Sequence, residues 1–154
     1  MSLAHDSIER SPNRLWQLPS WLLGQAALRG QRITAARFDV LGMRRQHFAI
    51  LSALADGGPA SQAELARELR IDRSDMVEVL GELERAGLVR RAREASDRRR
   101  NAVSLTPAGV YALGQLDAQV EDAQRELLAP LSAAERAQLV WLLTRLVEHH
   151  SERR

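Results

Sequence analysis

Arginine is the residue whose number and placement in this chain could do chemistry. All 22 basic residues are arginine, and six of them, Arg90, Arg91, Arg93, Arg98, Arg99 and Arg100, fall within residues 88–105 against only Glu94 and Asp97. Residues 61–86 and 106–154 are net negative, so one short basic patch is set in a nearly balanced chain of net charge +2. An arginine-only complement is what a GC-rich coding sequence yields, and a lone arginine triplet is more often solvated surface than a site. The meaning of the patch therefore depends on the elements that hold it.

Other chemistries have little to stand on. Cysteine is absent, which excludes disulfides, thiolate metal sites, thiol nucleophiles and thiol redox sensing together. The sequence holds no nucleophile-elbow, phosphate-loop or dinucleotide glycine motif. Of the histidines His5, His47, His149 and His150, the adjacent pair point about 100° apart on a helix and do not form an i, i+4 metal pair. The carboxylates are scattered over helices with arginines at i+3 or i+4, as on solvated faces. An enzyme is not expected, nor is a metal or cofactor. At 154 residues, with 45% hydrophobic and 27% charged residues, the chain can build a core without disulfides but is too short for a multidomain enzyme. No run of 18 apolar residues occurs, and MSLAHDSIER lacks an apolar signal region. The expectation is a soluble, cytoplasmic protein.

Around the patch the sequence is mostly helical. Residues 1–18 read as an N-terminal arm, ordered from near Trp16. A helix over Ser20–Leu41 follows, weakened by Gly24 and Gly30 and ended at Gly42. A second helix over Arg44–Leu54 stops at Asp56-Gly57-Gly58-Pro59. Ser61-Gln62-Ala63-Glu64 is a capping box that opens a short helix. Asp72 then caps another, running through Met76, Val79, Leu80 and Leu83 to Gly87. Two helices joined this closely make a helix-turn-helix candidate, a pattern that many helical hairpins share. Residues 88–93 and 102–105 read as two strands of a ribbon with a polar tip between them. Thr106-Pro107 opens a long helix with Val110, Leu113, Leu116, Val120, Ala123 and Leu127 on one seam. A second capping box, Ser132 with Glu135, opens the last helix, whose stripe is Leu139, Leu142, Leu143 and Leu146.

This placement changes what the arginines mean. A ribbon directly after a two-helix unit lets one helix enter the major groove of DNA, about 12 Å wide, while the arginine tip reaches the adjacent minor groove, where negative potential favours it. DNA binding is the expected chemistry. The terminal helices carry apolar stripes that an 80-residue winged helix cannot cover on its own, so a second chain is the expected cover.

The order from Ser61 through Leu83, the stretch Glu84-Arg85-Ala86-Gly87-Leu88-Val89-Arg90, the tip Ser96-Asp97-Arg98-Arg99 and the return Leu105-Thr106-Pro107-Ala108-Gly109 resemble the MarR family of bacterial winged-helix regulators. The resemblance covers about residues 20–148. It implies a mostly α fold with a small β-ribbon wing, in which a winged helix-turn-helix over 43–106 is flanked by a helical dimerisation domain from 19–42 and 107–154. It further implies a homodimer on an inverted-repeat operator of double-stranded DNA, a repressor in the commonest case, relieved by a small aromatic ligand between the domains.

Carried onto this chain, the resemblance places Arg73, Ser74, Asp75, Val77 and Glu78 on the first turns of a recognition helix capped by Asp72. Ser61 and Gln62 would offer amides to phosphate. Arg99 would enter the minor groove, oriented by Asp97, with Arg98 and Arg100 neutralising phosphates. Trp16, Trp21, His47 and Phe48 would form the apolar wall of the ligand pocket, although aromatics on helices are more often core. Asp75 and Glu78 depart from the polar or basic residues expected of such a helix. They keep open the alternatives of a ligand-blind architectural DNA binder and of a winged helix that contacts protein.

Overall fold

The computed structural model describes residues 13–92 and 102–151. The described residues form two compact units, one comprising those up to Ile33 and from Asp122 onward, the other Thr34–Glu121.

In the second unit the apolar spacing of the sequence becomes the core. Helix α3 (Arg45–Gly57) buries His47, Ile50, Leu51 and Leu54, the i, i+3, i+4, i+7 face of one helix. It ends where Gly58 adopts φ +78°, its amide bonding to the carbonyl of Leu54 at 3.0 Å. Helix α4 (Gln62–Leu69) opens with the expected capping box, in which Ser61 Oγ accepts from the Glu64 amide at 3.2 Å and Glu64 Oε2 from the Ser61 amide at 2.9 Å. Arg70 then turns left-handed at φ 53°, and the Ile71 amide bonds back to the carbonyl of Ala66. That reversal starts α5 (Arg73–Arg85), which buries Met76, Val79, Leu80 and Leu83. Asp72 stands at its N-cap, but the carboxylate makes no capping hydrogen bond, a correction to the expected role. The turn is held instead by backbone, through the Ile71 amide before it and the Met76 amide on the Asp72 carbonyl at 2.8 Å.

After Gly87 (φ +73°), β1 (Val89–Ala92) pairs antiparallel with β2 (Ala102–Leu105), Val89 opposite Leu105 and Arg91 opposite Val103. Ala60 exchanges both backbone hydrogen bonds with Val103, at 3.1 and 2.8 Å, and so anchors the ribbon to the α3–α4 connection. Thr106 Oγ1 accepts from the Gly109 amide at 3.0 Å and donates to the Gly87 carbonyl at 2.6 Å. The hydroxyl thus caps α6 (Pro107–Leu127) and pins that helix to the start of the ribbon.

The expected seam of α6 divides. Leu116 is fully buried among Phe38, Leu51 and Met76 in the core cluster of the second unit, whereas Val110 is 59% exposed. The first unit comprises α1 (Asn13–Trp16), most of α2 (Pro19–Asp39), the end of α6 and α7 (Ala133–Ser151). Gly30 there has Leu127 so close that an added Cβ would lie 3.0 Å from its Cδ2, which explains one of the glycines interrupting α2. Ser132 and Glu135 form the second capping box, at 3.2 and 2.7 Å, yet α7 buries none of its residues.

Candidate nucleic-acid interface

With its core face set by Met76, Val79, Leu80 and Leu83, α5 turns the opposite face outward. At about 100° per residue that face carries Ser74, Val77, Glu78, Gly81 and Arg85. Arg73 and Glu84 lie on one flank, Asp75 and Glu82 on the other. All five residues proposed from the sequence to meet bases, Arg73, Ser74, Asp75, Val77 and Glu78, are exposed.

The flank bearing Asp75 and Glu82 is tied to α3. Glu82 Oε2 accepts from Arg44 Nη2 and from His47 Nε2, both at 2.6 Å, while His47 Nδ1 accepts from the Arg44 amide at 2.9 Å. Satisfying both ring contacts assigns the proton to Nε2. The Arg44 hydrogen bond, followed by that from His47, holds the Glu82 carboxyl below the usual carboxylate range. The same bond pushes the Arg44 guanidinium further toward its charged form, and the negative charges of Glu82, Glu78 and Asp75 add to it. Glu82 of α5 is therefore paired with a cation from the N-cap of α3.

Glu82→Ala should lower stability by about 1–3 kcal/mol at neutral pH, because His47, only 6% exposed, loses the acceptor of its ring N–H. A carboxyl with a lowered folded value stabilises fully above its ordinary range and loses that contribution as pH falls through the lowered value. The gap between wild type and variant in urea denaturation should close in acid; a gap unchanged by pH would mean that the Glu82 charge contributes nothing.

A second network joins the ribbon to both helices. Arg91 of β1 donates from Nε to Glu84 Oε2 at 3.0 Å and from Nη2 to Gln62 Oε1 at 3.2 Å. Gln62 is thereby held at the start of α4 with its carbonyl oxygen occupied, beside the Ser61 cap. The sequence reading missed Arg44, Glu82, Glu84 and Arg91 as organising residues. The only signals were an Arg44-x-x-His47 spacing at a helix start and the row Asp75, Glu78, Glu82 along one edge.

Comparison with known proteins places this arrangement. A family model described as the MarR family matches residues 41–100. A protein of Thauera aromatica named as a transcriptional regulatory protein for the hcr operon is 38% identical over 105 residues, 68% of this chain; the chain spans 63% of that relative's length. The crystal structure of a Pseudomonas aeruginosa protein named as a transcriptional regulator is 34% identical, covers 86% of this chain and 98% of its own, and superposes with a TM-score of 0.75. The chain belongs to the MarR family. A Mycobacterium tuberculosis member solved in complex with DNA is 27% identical, covers 84% of this chain and 97% of its own, and has a TM-score of 0.73. The same member has been solved with p-aminosalicylic acid.

In this MarR-family chain the wing tip residues Asp97, Arg98, Arg99 and Arg100 lie outside the described residues. The four residues expected to wall a ligand pocket fall in both units, Trp16 and Trp21 in the first, His47 and Phe48 in the second. His47 is engaged with Glu82 and Arg44, and Phe48 packs on Phe38 with ring centroids 5.6 Å apart. An open cleft of about 390 Å³ lies elsewhere in the second unit, lined by Ala53, Gly57, Gly58, Pro59, Ala60, Glu64, Arg67 and Glu68; none of the four aromatic residues borders it. No described helix is long and apolar enough to cross a membrane.

Proposed function

We propose that this MarR-family protein is a homodimeric, DNA-binding transcriptional regulator, a repressor that holds an inverted-repeat operator and is released by a small aromatic ligand. The observation that carries the reading is α5: a helix braced by Glu82 on one edge, with Ser74, Val77 and Glu78 exposed on its outward face, followed directly by a ribbon whose two strands the arginine-rich segment connects in sequence. The domain assignment goes with it: a winged helix over 43–106, dimerisation helices over 19–42 and 107–154, and an arm over 1–18. The DNA and p-aminosalicylic acid complexes of the M. tuberculosis relative support both partners by analogy. The dimer is supported by the first unit, where Trp16, Leu18, Trp21, Leu28, Trp141, Leu142 and Val147 are all exposed. That much apolar surface on one unit calls for a cover. A ligand can release DNA only if it binds the free dimer more tightly than the bound one.

In this reading Arg99 enters the minor groove beside Asp97 while Arg98, Arg100 and the α4 start at Ser61 and Gln62 meet phosphates. Arg99→Ala should cost about 1–3 kcal/mol at the operator, and Arg98→Ala or Arg100→Ala should weaken all duplexes evenly and lower the salt slope by about one per lost phosphate contact. The measurement is affinity for the chain's own upstream DNA and for random duplexes across a salt series. Wild-type affinity after removal of all three arginines would sink the wing assignment. No binding to any duplex would favour the protein-contact alternative that the acids of α5 suggest.

A further inference from the structure

Four kinds of base reading are open to a helix in the major groove, and most require residues that the outward face of α5 lacks. Guanine is read by arginine or lysine, and adenine by asparagine or glutamine. The face carries no lysine, asparagine or glutamine, Arg85 is folded back along the helix with its Nε donating to the Gly81 carbonyl at 3.1 Å, and the other arginine of the helix, Arg73, stands on the flank at its first turn. The face does carry Val77, 55% exposed, and the next residue, Glu78. A side chain on a helix lies over the turn N-terminal to its own Cα, so a residue at 81 would partly cover 77. Position 81 is glycine, and Val77 is left bare as a stiff apolar knob.

Glu78 is the harder residue to explain on a DNA-facing helix, since a carboxylate there must meet a donor. The cytosine amino group is such a donor in the major groove. Adenine also offers an amino group, but its N7 acceptor lies alongside and repels a carboxylate, whereas cytosine has a C–H there.

Resting on the DNA-binding reading above, we propose that α5 reads a thymine methyl with Val77 and the amino group of a neighbouring cytosine with Glu78. Each operator half-site is then specified by adjoining T·A and C·G pairs.

The test is selection of duplexes from a random pool by the full chain, followed by affinity measurements in which each thymine of the selected site is replaced in turn by deoxyuridine. One thymine per half-site should lose about fourfold in affinity with its methyl group, the worth of one buried methylene-sized group. Val77→Ala should abolish that sensitivity. Glu78→Gln should shift the selected base from cytosine to adenine, which an amide can bond in two places. Tight, sequence-specific binding that ignores every deoxyuridine, or variants that select the wild-type sequence, would overturn the proposal and leave the DNA-binding reading intact. Failure of the wild type to bind or enrich any duplex would overturn both.

Discussion

Gly109→Ala should destabilise the winged-helix unit by roughly 3 kcal/mol, against the usual rule that alanine is the better helix former. A Cβ at this position of α6 would fall on the Leu88 carbonyl oxygen, 3.0 Å from that carbonyl carbon and 3.2 Å from Leu105 Cδ2. The strand cannot withdraw cheaply. The Leu88 oxygen accepts from the Thr106 amide at 3.1 Å, the Leu88 amide bonds to the Leu83 carbonyl at 2.9 Å, and Thr106 Oγ1 holds the Gly87 carbonyl. The clash is therefore with backbone that is pinned at three points. Gly114→Ala on the same helix is the control, since nothing lies within 4 Å of a Cβ there. It should raise stability by up to about 1 kcal/mol. Urea denaturation of the two variants decides it, and a stable Gly109→Ala protein would mean that α6 and the base of the ribbon do not approach as described.

Leu116 and Leu142 should behave in opposite ways, although both are leucines on the stripes of the long terminal helices. Leu116 is fully buried, so Leu116→Ala should cost about 2–5 kcal/mol of stability, from lost burial and the cavity left behind. Leu142 is 42% exposed on a helix that buries nothing, so Leu142→Glu should leave the unfolding of the winged helix nearly unchanged and weaken self-association. Under the proposed function that loss carries through to DNA, since a single half-site contact lacks the second as an intramolecular partner. Light scattering at micromolar concentration and operator affinity read the two consequences separately. A wild-type protein of monomeric mass would remove the dimer from the proposed function.

Several elements were legible because their signals are local. Ser61 with Glu64 and Ser132 with Glu135 cap helices through side chain and backbone three residues apart, and no distant part of the chain takes part. Gly58 and Gly87 end helices through a backbone conformation that is costly for other residues. Thr106-Pro107 starts α6 for equally local reasons. The Leu-Thr-x-x-Gly pattern was readable as a family mark, but the reason for its glycine was not, because Leu88 lies far from Gly109 in the chain.

By itself, then, the sequence determined the helix and strand order from α2 onward, the two capping boxes and the basic ribbon after two helices, and its residue motifs carried the resemblance to the MarR family; the short helix α1 inside the expected arm was not read. Only the tertiary structure decided which residues brace the recognition helix. Glu82 finds Arg44 and His47 some 35 or more residues away, and Arg91 finds Gln62 at a separation of 29. It also decided that Leu116 belongs to the core while Leu142 does not, and that Glu82 of α5 pairs with Arg44 at the N-cap of α3. Periodicity shows that a helix has an apolar face or an acidic edge, but what meets that face or edge depends on how separate elements pack, and that information has no local spacing to carry it.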